Sequence, residues 1–161
     1  MTVNGAIALT IGLGFGVGLR SLTAPAVIAW AARLGWLDLH GTPLAFMGTT
    51  LAVVLFSLFA IAEYIGDLMP QIPRRTAPAP LLARIVMGGL CGASLWASAG
   101  QSLLEGALLG AIGAVIGAYA GYEARKRLVN RFKIKDAAIA IPEDLIAIAL
   151  ACLLVFLPLA H

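Results

Sequence analysis

Apolar residues fill this chain in long unbroken blocks. Charge-free stretches run over 1–19, 44–62, 85–104, 106–122 and 145–160, and most reach the ~20 residues that a helix needs to cross a ~30 Å hydrocarbon core. With the basic clusters as punctuation, the pattern predicts six helices over roughly 3–19, 23–37, 44–66, 79–99, 104–123 and 138–159. The second is the weak member, because a helix of that length covers only about 22 Å and holds Arg33. The alternative is a re-entrant segment, which leaves five spans and puts Arg20 on the outer side. The fold class is therefore all-α: a polytopic membrane protein of about six transmembrane helices in three hairpins, forming one domain over 1–161.

Two tracts near predicted helix starts resemble each other, Thr23-Ala-Pro-Ala26 and Thr76-Ala-Pro-Ala79, with Arg20 and Arg75 just upstream and Arg33 and Arg84 further on. Threonine is a good N-cap and proline suits a first helical turn, where its missing N–H costs nothing. An internal repeat of helix, basic turn and proline-started helix follows, as in many transporters. Chance and plain capping chemistry explain the match equally well.

Composition sharpens the class. The chain is 61% hydrophobic and 12% charged, against about 45–50% and about 25% for a soluble domain, so it reads as an integral membrane protein. The first block lacks the basic n-region and small-residue cleavage site of a signal peptide and is taken as the first span. The net charge of +3 comes from residues beside spans, where it signals topology and contact with anionic phospholipids rather than nucleic acid. Placing Arg20, Arg74, Arg75, Arg84 and the basic run over 125–135 in the cytoplasm puts both termini outside, in a multi-pass protein of the bacterial inner membrane. Trp36 and Trp96 then fall near the outer boundary. Cys91 and Cys152 sit singly in apolar runs and read as packing thiols.

The charged residues offer two candidate sites. Helix starts carry unpaired N–H groups and a partial positive charge, so Arg20, Ser21, Thr23, Arg75, Thr76 and Arg84 would suit a small anion or an anionic lipid headgroup. Caps and lipid-facing arginines are the plainer account. Glu63 and Asp67 share a helix face, and with Glu143 and Asp144 they form a candidate proton or cation site. A ring of salt bridges is the alternative. Gly12 and Gly16 in the first helix, and Gly106, Gly110, Gly113, Gly117 and Gly121 in the fifth, give small-residue faces for close helix packing, either within one subunit or in a homo-oligomer. Gly88 and Gly92 add a further face.

The stretches GFGVGLRSLTAPAVIAWAARLGWLDL, RTAPAPLLARIVMGGLCGA, GAYAGYEARKRL and PEDLIAI resemble a bacterial membrane-protein family catalogued as a domain of unknown function (DUF4126). The resemblance covers essentially the whole chain. It implies a multi-span membrane protein and assigns no catalytic or ligand-binding residue.

Among functions, an enzyme is the least supported, since there is no HExxH helix, GxSxG elbow or phosphate-binding glycine loop. No cofactor and no metal is expected. A small transporter or channel-like protein with a cytoplasmic-side polar site leads, and a structural or assembly subunit packed through its glycine faces is the alternative.

Overall fold

The computed structural model describes residues 3–66 and 77–132, together with 145, 148, 149, 151–153 and 155. The elements are α1 (Val3–Leu19), α2 (Thr23–Arg33), a 3-10 turn (Ala45–Gly48), α3 (Thr50–Gly66), α4 (Pro78–Ser98) and α5 (Leu103–Phe132). Among the described residues every regular element is a helix and no strand occurs. The proposed sixth span lies mostly outside them, although Ala151 and Val155 are both buried in the common core.

Missing side chains decide which helices meet. A Cβ on Gly110 would run into the Gly88 carbonyl oxygen, and one on Gly92 into that of Gly106. The partner on α5 falls by four as the residue on α4 rises by four, so α4 and α5 are antiparallel. On the other side of α5, a Cβ on Gly14 would strike the Gly110 carbonyl and one on Gly18 that of Ala114. Here both numbers rise together, so α1 and α5 run parallel. Gly113 and Gly117 complete this contact against Ile11 and Phe15. Backbones this close gain dispersion and exclude lipid or water without any apolar side chain between them.

These glycine faces are thus occupied within one subunit. On α1 the contact is made by Gly14 and Gly18. Gly16 is buried, yet a Cβ there would meet nothing within 4 Å. Gly12 is half-buried and Gly121 buried.

One buried hydrogen bond ties α4 to α1. Trp96 Nε1 donates to Thr10 Oγ1 at 2.7 Å, and that hydroxyl donates to the Ala6 carbonyl at 2.7 Å. Trp96, two residues from the end of α4, thus turns its ring inward. Its ring is buried against Gly106, where the absent side chain leaves room for it.

α2 and α3 form a second unit, an antiparallel hairpin. Thr23 meets Tyr64, Trp30 meets Ser57, and Gly48 lies against Ala32. α2 ends at Arg33 rather than near 37, because Gly35 takes φ 75° and a Schellman closure follows: Gly35 N–H to Ala32 O at 3.2 Å and Trp36 N–H to Ala31 O at 2.9 Å. Gly100 ends α4 in the same way, with φ 66° and bonds to Ala97 and Trp96.

Two further bounds differ from expectation. The connection after α2 includes the 3-10 turn, so α3 begins at Thr50, and Leu37, Leu39 and Met47 bury the connection against the core. α5 continues beyond Glu123 to Phe132, since arginine and lysine are good helix formers. α4 and the first 25 residues of α5 are long and apolar enough to cross a membrane, while α1 and α3 have 17 residues each.

Gly110→Ala is expected to cost about 1–3 kcal/mol through backbone overpacking. Gly16→Ala should be neutral or slightly stabilising, as alanine is the better helix former. Thermal unfolding of the two variants beside the parent protein checks both; equal midpoints would contradict the packing described.

Candidate functional site

α2 begins without a cap of its own. Its N-cap is Leu22, which has no side-chain acceptor, and Thr23 is already the first helical residue. The Thr23 hydroxyl pairs instead with the Tyr64 hydroxyl at 2.8 Å. The capping oxygen comes from α3: Glu63 Oε1 accepts from Ser21 N–H at 2.9 Å and Ser21 Oγ–H at 2.5 Å, and Oε2 accepts from Leu22 N–H at 3.0 Å. A carboxylate at a helix start meets both open donors and the positive end of the helix dipole.

Two arginines close the site. Arg84, one turn and a half into α4, brings Nη2 within 3.9 Å of Glu63 Oε1. Arg20, directly after α1, places its guanidinium carbon 4.9 Å from the Tyr64 ring centroid and Nη1 at a long 3.5 Å from the Glu63 carbonyl oxygen. The first of these contacts is a cation–π arrangement. Arg20 is 1% exposed and Arg84 6%. Burial of charge at this depth is tolerated only where the groups compensate one another, and here the Glu63 carboxylate holds the start of α2 and faces Arg84 of α4, while Arg20 at the end of α1 lies over the adjoining Tyr64 ring.

The structure therefore brings Arg20, Ser21, Thr23 and Arg84 together, and it brings them around Glu63. The candidate anion residues and the leading candidate proton site are one cluster. Asp67, Arg75, Thr76, Glu143 and Asp144 lie outside the described residues. Glu123 pairs with Arg127 at 3.3 Å in an exposed i,i+4 contact, which contributes little. Tyr64 belongs to the site but was not legible as a member. Its one signal is adjacency to Glu63 in a helix whose other polar residues are few.

The profile described as "Domain of unknown function (DUF4126)" matches residues 7–161. The chain belongs to that family. No curated protein and no solved structure matches it. The part matched to DUF4126 contains every residue of the Glu63 cluster.

Glu63→Ala strips the α2 start of its acceptors and leaves Arg84 beside a void, so a loss of about 3 kcal/mol is expected. Tyr64→Phe keeps the ring by Arg20 and removes one hydroxyl bond, for about 1 kcal/mol. Denaturant unfolding ranks them; a Tyr64→Phe loss as large as that of Glu63→Ala would place the weight of the junction on the hydroxyl pair.

Proposed function

We propose that this is a multi-span integral membrane protein of the bacterial cytoplasmic membrane that moves a small anion or an anionic lipid headgroup, with its polar site at the cytoplasmic end. The outward side chains support the membrane reading. Leu51, Leu58, Phe59, Ile61 and Ile65 on α3, and Leu104, Leu108, Ile112 and Ile116 on α5, are all more than half exposed, far more apolar surface than a soluble monomer leaves in water. Arg20, Arg84 and the basic turns of α5 after Glu123 share one end of the bundle, as the positive-inside rule asks of the cytoplasmic face.

The observation that carries the transport reading is α2 itself. It is a half-length helix of 11 residues, about 16 Å long, and its start is aimed at a carboxylate flanked by arginines. Transporters use half-helix N-termini of this kind to hold the anionic part of a substrate. Glu63 is then a tethered occupant, and a substrate anion takes its place when α3 withdraws from α2. The α2–α3 hairpin is the moving part and the glycine-packed bundle of α1, α4 and α5 the scaffold.

A second reading, a structural subunit, is favoured by the full set of donors around Glu63, which is also what a permanent cap requires. The two readings differ in what Glu63→Gln does. Melting temperatures in detergent, measured against phosphate, sulfate, small carboxylates and phosphatidylglycerol, should show a ligand-specific rise that is larger in Glu63→Gln than in the parent. A ligand at a hundredfold excess over its Kd contributes about 2.7 kcal/mol. Adding Arg84→Gln should abolish the rise. A flat panel in both proteins, with Glu63→Gln merely less stable, would refute the anion site and leave the structural subunit.

A further inference from the structure

At the end of the α2–α3 hairpin opposite Glu63 lies a cleft of about 410 Å³, within the range of about 300–1,000 Å³ typical of small-ligand sites. Arg33 from the last turn of α2, Leu39 and His40 from the connection, and Gly48, Thr49 and Thr50 at the start of α3 line it. Arg33 and His40 are exposed. Thr49 Oγ1 caps α3 by accepting the Ala52 N–H at 3.2 Å. Asp38 is the acidic neighbour, and its Oδ1 accepts the His40 backbone N–H at 3.0 Å.

Between the cleft and Glu63, the seam of α2 on α3 carries two more polar pairs. Trp30 Nε1 donates to Ser57 Oγ at 3.1 Å, and Thr23 and Tyr64 share a hydroxyl bond at 2.8 Å. Polar groups therefore recur along the whole hairpin, over about 15 Å of α2 from Thr23 to Arg33. Each pair meets its own donor with its own acceptor, so the seam can hold polar groups beside hydrocarbon at little cost.

The flanks of this seam narrow the chemistry. Leu34 beside Arg33, Leu51 beside Thr50 and Leu58 beside Ser57 are 50%, 68% and 57% exposed, and Trp30 is 50% exposed. Each polar station along the hairpin thus adjoins surface that faces hydrocarbon. A solute on such a seam keeps its head on hydroxyls and guanidinium while its apolar part stays in the bilayer. Arg33 offers a planar fork that fits a phosphate monoanion, and Thr50 and His40 offer further donors to its oxygens, the Thr49 hydroxyl being donated to the Phe46 carbonyl.

We infer that the α2–α3 seam carries the phosphate-bearing headgroup of an anionic glycerophospholipid between the two leaflets, received in the Arg33 cleft at one end and in the Glu63 site at the other. This rests on the transport reading above and narrows its substrate class to phosphate-headed lipids. The headgroup passes from the Arg33 cleft over the Trp30–Ser57 and Thr23–Tyr64 pairs, and its acyl chains never leave the hydrocarbon.

The test is dithionite bleaching of acyl-labelled fluorescent lipid in vesicles holding the purified protein. Without movement only the outer leaflet bleaches; with movement nearly all of the label does. Labelled phosphatidylglycerol should bleach beyond the outer half. Arg33→Gln and Ser57→Leu, both eluting from size exclusion as the parent does, should slow the second phase by at least about tenfold, as loss of a charge-assisted contact predicts for Arg33. Parallel vesicles carry labelled phosphatidylcholine or entrapped inorganic phosphate. Phosphate release without lipid movement overturns the lipid substrate and leaves the anion reading standing; movement of neither overturns both. Equal rates in the two variants and the parent overturn the seam as the path, and phosphatidylcholine moving as fast as phosphatidylglycerol overturns the anionic class.

Discussion

The carboxylate of Glu63 does at one point what backbone packing does elsewhere in this chain. It joins the α2–α3 hairpin to the bundle of α1, α4 and α5. Leu22 supplies no acceptor, and the N–H groups of Ser21 and Leu22, at the entry to α2, are held instead by a carboxylate delivered from the last turn of α3. Because the same carboxylate also faces Arg84 on α4, it ties the hairpin to the bundle beside the apolar contacts that Ile28 and Ala29 of α2 make in the common core. A low-dielectric surrounding strengthens each of these contacts and makes an incomplete set costly. The junction is therefore either fully made or fully exchanged for another set of partners.

The two halves of the molecule are held by different physics. Within the bundle, the carbonyl oxygens of Gly88, Gly106 and Gly110 sit where side chains would be, so displacement of one helix forces backbone against backbone. Within the hairpin and at its junction, hydrogen bonds and ion contacts are added to the apolar packing of Ala24, Ile28, Ala29 and Val53 in the common core.

Much of the helix layout was legible in the charge-free blocks, since uninterrupted apolar stretches leave few other solutions for the backbone. The bounds of α2 were not, because a single left-handed glycine at 35 closes the helix four residues before the apolar pattern fades. The end of α5 was missed for the converse reason: Arg125, Lys126 and Arg127 look like a loop by charge, yet they propagate a helix well once it is nucleated. At the site, the arginines, Ser21 and Thr23 could be named from their place at a helix start. That Glu63, forty-odd positions away, would be the group they surround depends on the antiparallel register of α2 on α3, which no local signal encodes. A glycine stripe names a helix, not which of its faces is covered, so Gly14 and Gly18 make the contacts where Gly16 meets nothing, and Trp96 near the end of α4 turns inward where Gly106 opposite leaves room.

The Thr10–Trp96 hydrogen bond has a consequence for how the bundle finds its alignment. Glycine contacts that recur every four residues are nearly degenerate, since Gly88 lies between Gly110 and Ala114 and Gly92 between Gly106 and Gly110, and a slip of α4 by one turn would set Gly92 between Gly110 and Ala114 and Gly88 between Ala114 and Ala118, keeping small residues opposed to small residues. A donor and an acceptor that occur once each are not degenerate. Slipping by a turn would separate indole from hydroxyl and strand both inside the core. The bond thus acts as a key for the lock that the glycines form, choosing one notch among several of almost equal depth, much as one buried polar residue selects the register of a coiled coil.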